Sequence, residues 1–126
     1  APIPEPLAGD WSPRSGYELG RRLLADPALT AVFVANDQMA LGLLRAVHEA
    51  GREIPGQVSV VGFDDIPEAR FFNPPLTTIH QDFDELGSRS LRLLLATIER
   101  GERVPAGPML APRLVVRAST APPRAG

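Results

Sequence analysis

The chain has 126 residues, a length that fits one modest domain or part of a larger one, with 44% hydrophobic and 22% charged residues and a formal net charge of −2. Those proportions suit a soluble globular domain and argue against a disordered tail. There is no cysteine, which excludes disulfides, thiolate metal sites and cysteine nucleophiles and fits a reducing cytoplasm.

Apolar runs such as Leu93-Leu94-Leu95-Ala96 fall far short of the roughly 20 residues a membrane-spanning helix needs. All 13 basic residues are arginine, and none cluster into a face for a phosphate backbone. Residues 1–9 are proline-rich and read as an extended lead-in, with no secretory-signal pattern and no initiator Met, as expected of an excised segment.

Ser12-Pro13 opens a helix: serine caps it, and proline at the first helical position gives up an N–H that has no partner there. Tyr17, Gly20, Leu23 and Leu24 form its stripe, and Asp26-Pro27 stops it. Ala31-Val32-Phe33-Val34-Ala35 is continuously apolar and reads as a buried, parallel strand. Asn36 or Asp37 caps the next helix, Gln38 to Ala50, with Met39, Leu43, Val47 and Ala50 on one face and Leu41, Leu44 and His48 on another. Gly51 is its stop.

Val58 to Phe63 is a second strand, ending in Asp64-Asp65. After a loop, Leu76 to His80 is a short extended piece. Asp82 and Glu85 spell a capping box for a helix from Phe83 to Arg100, striped by Leu86, Leu93, Leu94 and Ile98 and ended by Gly101. Leu114-Val115-Val116 is a last strand. Strands alternating with helices predict an α/β fold with a mainly parallel sheet flanked by helices.

Ligands of open α/β sheets bind at the carboxyl ends of strands. Asn36-Asp37, Asp64-Asp65 and Gln81-Asp82 follow three such ends. Asn both donates and accepts, and carboxylates accept several hydrogen bonds, which suits a polyhydroxylated ligand. Trp11 and Phe83 could cover the apolar faces of a sugar ring. On pattern alone, Asn36 and Asp82 serve equally well as plain helix caps, and Trp11 as ordinary core.

Enzymatic alternatives lack parts. A Ser-His-Asp hydrolase has no Gly-x-Ser-x-Gly here, and His48 sits mid-helix. His80, Asp82 and Asp84 alternate as metal ligands would, but a cap at Asp82 is the commoner use. Gly51-x-x-x-x-Gly56 lacks the Lys-Ser/Thr of a phosphate loop. A receiver domain would use Asp64 and Asp65 but needs a lysine. No catalytic residue, metal or cofactor is therefore expected.

Four motifs carry a resemblance. Phe33-Val34-Ala35-Asn36-Asp37-Gln38-Met39-Ala40-Leu41-Gly42, Val58-Ser59-Val60-Val61-Gly62-Phe63-Asp64-Asp65, and Pro74-Pro75-Leu76-Thr77-Thr78-Ile79 with Gln81-Asp82-Phe83 resemble the strand–AND–helix, SVVGFDD and PPLTT…QDF signatures of LacI/GalR-type transcriptional repressors. Gly9-Asp10-Trp11-Ser12 with Gly16-Tyr17 resembles the motif ahead of them. The resemblance implies a partial periplasmic-binding-protein-like core with a sugar-like effector between two subdomains. Residues matching Asn36 and Asp64 would hydrogen-bond the effector, those matching Trp11, Gln81 and Phe83 would line the pocket, and Leu41, Leu44 and Phe72 match positions of a homodimer interface.

On this resemblance, residues 10–75 form the second half of the C-terminal subdomain, 76–101 a crossing strand and helix belonging to the N-terminal subdomain, 102–118 a return strand, and 119–126 a frayed tail. The helix-turn-helix that would meet operator DNA lies outside the chain, as does about half of the pocket. The protein would be cytoplasmic, with no membrane partner. A periplasmic or secreted sugar-binding protein of a transport system is the alternative that shares the fold.

Overall fold

A computed structural model describes residues 4–123. Its elements, in chain order, are α1 (Pro13–Leu23), β1 (Ala31–Phe33), α2 (Asp37–Glu49), β2 (Ser59–Asp64), a 3-10 turn (Pro67–Phe71), β3 (Thr77–His80), α3 (Phe83–Arg100) and β4 (Arg113–Val115). The sheet has the order β1-β2-β3-β4. The first three strands run parallel, and β4 closes the edge antiparallel to β3. This is the mainly parallel α/β architecture expected from the alternating pattern.

Local chemistry accounts for the element ends. The Ser12 hydroxyl accepts from Ser15 N ahead of Pro13. The side chain of Asn36 accepts from Met39 N at the start of α2, and that of Asp82 from Glu85 N at the start of α3. Only half of the expected capping box forms, because Glu85 bonds Arg92 at 3.2 Å instead of reaching back. Gly51 and Gly101 follow α2 and α3 with φ of +68° and +69°, where a left-handed residue ends a helix.

The core is built on α2, which lies against both α1 and the sheet. Met39, Ala40, Leu43, Leu44, Ala46 and Val47 are buried, along with Val58, Val60 and Leu76. The stripe is wider than a one-sided amphipathic helix shows, because two surfaces cover it.

Two expectations are corrected, for the first strand and for the tail. The first strand is an edge strand. Phe33 is 64% exposed and packs edge-on against Phe63. Leu76 to His80 contains β3, which pairs with β2 from Val61↔Thr77 to Asp64↔His80 within the same sheet. Its polar Thr77 and Thr78 are buried and hydrogen-bonded there. The tail is not frayed at its start. The Ser119 hydroxyl accepts from Thr77 N and donates to Val60 O, and the residue is fully buried. The rest of the tail expectation, 124–126, lies outside the described residues, as do 1–3 of the lead-in.

Only α3 stands apart. None of its residues is buried, and Leu86, Leu91, Leu94, Leu95 and Ile98 are all exposed. The guanidinium of Arg89 in this helix donates to Ala106 O at 2.7 Å. Among the described residues no helix is long and apolar enough to cross a membrane.

Candidate functional site at the strand ends

The parallel register brings the carboxyl ends of β1, β2 and β3 side by side. Phe33 pairs with Val61 and Val61 with Thr77; three residues further along lie Asn36, Asp64 and His80. Asp64 thus ends β2, and Asn36 follows the neighbouring strand β1 by three residues.

Asn36 is 8% exposed, and both ends of its amide are engaged. Its Oδ1 accepts from Met39 N at 2.9 Å, and its Nδ2 donates to the Trp11 carbonyl at 3.0 Å. The helix-cap use is thus realised, and the same side chain pins Trp11 beside the strand ends. Trp11 is not core: the residue is 64% exposed, and its backbone has φ +70°. An aromatic held out of the core by a fixed backbone is available to a ligand.

Asp64 and Gln81 are brought together as well. Gln81 N donates to the Asp64 carbonyl at 3.3 Å, and Gln81 Nε2 to Asp64 Oδ1 at 3.4 Å. Phe83, two residues on, is half exposed at the start of α3. Of the expected interface residues, Leu41 is at the surface and Phe72 packs partly against the core. Leu44, at 5% exposure, sits in the core cluster of this chain.

Two carboxylates carry more structure than the sequence pattern revealed. Asp37 is completely buried. Its Oδ1 accepts from Thr78 Oγ1 at 2.6 Å and its Oδ2 from Ile66 N at 2.9 Å, and the Asp65 amide also faces it. Burial pushes its pKa above the ordinary aspartate value despite those hydrogen bonds.

Asp65 meets Arg117 Nη2 at 2.6 Å and His80 Nδ1 at 2.9 Å, while Arg117 Nη1 donates to Leu76 O at 2.8 Å. Burial alone would raise this carboxyl, but the Arg117 and His80 hydrogen bonds outweigh it and hold the pKa below the usual range. The Asp64-Asp65 doublet at a strand end is the one sequence signal for this pair. Nothing in the pattern pointed to Arg117, which is 52 residues away in sequence.

Asp64 and Asp65 have φ of +106° and +58°, consecutive non-glycine residues in a region that costs about 1–3 kcal/mol each. Such strain persists only where surroundings over-determine it, and it clusters at ligand clamps. His80 is committed to Asp65 and Asp82 to its helix cap. Among the described residues no group of three or more His, Asp or Glu is placed to hold a metal ion.

Comparison with known proteins agrees with this geometry. The sequence profile of the periplasmic binding protein-like domain matches residues 3–120, and the chain belongs to that family. Within it, the homologues are LacI-family regulators. The chain is 42% identical over 114 residues to the HTH-type transcriptional repressor PurR of Pasteurella multocida, an alignment covering 90% of this chain and 34% of that protein. The chain thus spans about a third of the length of the curated relatives it matches.

A dimeric Lac repressor with an 11-residue C-terminal deletion superposes with a TM-score of 0.83 at 42% identity, covering 95% of this chain and 45% of that one. A LacI family transcriptional regulator from Enterococcus faecium, solved with bound ribose, superposes with a TM-score of 0.79 at 38% identity, covering 94% and 44%.

Proposed function

We propose that this chain is the effector-sensing and dimerisation part of a cytoplasmic transcriptional regulator of the LacI type, with a sugar-like molecule as effector and no catalytic turnover. The observation that carries the reading is the convergence at the strand ends: Asn36 tied to Trp11, and Asp64 tied to Gln81, on adjacent parallel strands. These groups offer donors, acceptors and an exposed ring, the set a polyhydroxylated ligand requires. The relative solved with ribose supports the sugar class, and the PurR and Lac repressor matches favour a regulator over a transport protein.

Operator DNA would be met through a segment outside this chain. The effector would act by binding one arrangement of the two subdomains better than the other and so shifting the DNA-competent population. Residues 10–75 and β3 would belong to one subdomain, and α3, which buries nothing here, would cross to the other.

The test is titration calorimetry with D-ribose on the longer protein that carries the whole two-part core. Asp64→Ala is expected to weaken binding by about 1.5–3 kcal/mol, the range for hydrogen bonds to a charged group. Unchanged affinity would remove Asp64 from the site.

Assembly has its own expected outcome. Leu41 and Phe71 are exposed apolar residues, and the α3 stripe is an exposed apolar surface. Exposed apolar surface of this extent favours association, and a two-fold contact uses the same residues on both partners. Light scattering on the 126-residue chain at micromolar concentration should report at least a dimer. A well-folded monomer would show that these surfaces do not drive assembly.

A further inference from the structure

The Asp64-Asp65 turn holds two consecutive left-handed residues without a glycine, and the proposed ligand carboxylate is one of them. The turn needs external restraint, and the structure shows where it comes from. Asp65 is clamped on one oxygen by Arg117 Nη2 and on the other by His80 Nδ1. Arg117 is itself fixed, because Nη1 donates to the Leu76 carbonyl and its amide donates to Thr77 Oγ1. His80 is the last residue of β3, and its register partner is Asp64. The clamp therefore ties the exit of β2 to both ends of β3 and to the residues after β4. Asp37 holds the far side of the turn through Ile66 N.

Asp65 and Arg117 are largely buried, with side-chain exposures of 8% and 15%. Their partnership is thus shielded from solvent, unlike the exposed ion pairs on α1 and α2. Asp64, by contrast, has among the described residues only the long 3.4 Å contact with Gln81 on its carboxylate, so its side chain is left for a ligand while its backbone is fixed.

We infer that Asp65, clamped by Arg117 and His80, is a positioning residue for Asp64: it holds the left-handed turn that keeps the Asp64 carboxylate beside Gln81 at the mouth of the site. This inference rests on the proposed sugar-binding role of Asp64. A ligand hydroxyl would then meet a carboxylate that has already been oriented, so less ordering remains to be done on binding.

The experiment has two arms. In the first, three-bond HN–Hα and one-bond Cα–Hα couplings report φ at residues 64 and 65 in the 126-residue chain. Both should be positive in the wild type. Asp65→Ala and Arg117→Met should lose the positive φ at Asp65 or average it with extended values. His80→Gln, a milder variant that keeps a hydrogen-bonding side chain, should shift the average less. Positive φ retained unchanged at both positions in all three variants would overturn the clamp.

In the second arm, D-ribose is titrated into the longer protein carrying Asp65→Ala, Asp64→Ala, or both. Asp65→Ala should weaken binding at least tenfold by itself and have no further effect once Asp64 is alanine. An equal loss in both backgrounds would mean general loosening and overturn the positioning role. If Asp64→Ala alone leaves affinity unchanged, the sugar-binding reading of Asp64 fails and the positioning role falls with it. The coupling measurements still decide separately whether the clamp holds the turn.

Discussion

Gly42→Ala is expected to cost the fold at least about 3 kcal/mol, the upper end of what overpacking a dense interior exacts. A methyl added at Gly42 would run into the carbonyl oxygen of Pro13 in α1, with Tyr17 N at 2.6 Å and the Pro13 carbonyl carbon at 2.8 Å. The converse approach is equally tight: a Cβ on Gly16 of α1 would strike the Met39 carbonyl, with Met39 Cα at 2.7 Å. Each helix thus presents a glycine to the other's backbone. Backbone atoms cannot rotate aside as a flexible side chain can, so relief requires the helices to part.

Separating them would uncover Met39, Leu43 and Ala46, which are buried here. It would also loosen the segment carrying Trp11, whose carbonyl Asn36 grips from the start of α2. Gly87 serves as the control. It sits mid-helix in α3 with nothing within 4 Å of an added Cβ. Gly87→Ala should therefore stabilise slightly, by about 0.5–1 kcal/mol, through helix propensity alone. Urea denaturation of the two variants beside the wild type checks the contrast. A Gly42→Ala midpoint equal to wild type, at equal slope, would show that α1 and α2 are not locked at this distance.

What could be seen in the sequence was whatever has a local cause. Ser12-Pro13, Asn36, Asp82, Gly51 and Gly101 mark helix ends through their own backbone chemistry, and each stands within a residue of where the pattern put it. Val58 to Phe63 is apolar and β-branched, and it forms the central parallel strand. Ala31 to Phe33 and Ser59 to Val61 pair in parallel, as the two apolar runs predicted.

Long-range assignments were harder. Leu44, in the core cluster, and the exposed Leu41 read alike, because helical spacing alone does not reveal that α2 is covered from two sides. The placement of β3 depended on which strand it pairs with, and no local pattern encodes pairing. Ser119 read as tail because a Pro- and Ala-rich terminus hides one serine that satisfies both Thr77 N and Val60 O. Asp65 and Arg117 meet only after all four strands are assembled.

Asp37 reads in the sequence as a helix cap or a strand-end ligand group, and its removal is expected to produce the second large loss. Asn36 performs the capping, which frees the Asp37 carboxylate to point inward, where it takes the Thr78 hydroxyl and the Ile66 amide. Gly62 makes room for it, since a Cβ there would strike Asp37 Oδ1. Asp37→Ala would leave a buried hydroxyl and a part-buried amide without partners. At about 1–3 kcal/mol for each stranded group, a loss of about 2–6 kcal/mol is expected, a large share of a typical domain's stability of about 5–15 kcal/mol.

Asp37→Asn should cost less, because an amide can turn its oxygen to Ile66 N and its NH2 to Thr78 Oγ1. The pH dependence separates the two effects. Burial raises the folded pKa of Asp37 above its unfolded value, so the folded state binds the proton more tightly. Stability contributed by this group is then greatest below the unfolded pKa and declines as pH rises through the folded one. The asparagine variant has no such proton to lose. Its deficit relative to wild type should therefore be largest at acid pH and shrink toward neutrality, while the alanine variant remains far less stable throughout. Denaturation midpoints for the three proteins from pH 4 to 8 test this. A deficit for Asp37→Asn that grows with pH would mean that Asp37 is stabilised as the carboxylate, with its hydrogen bonds outweighing burial.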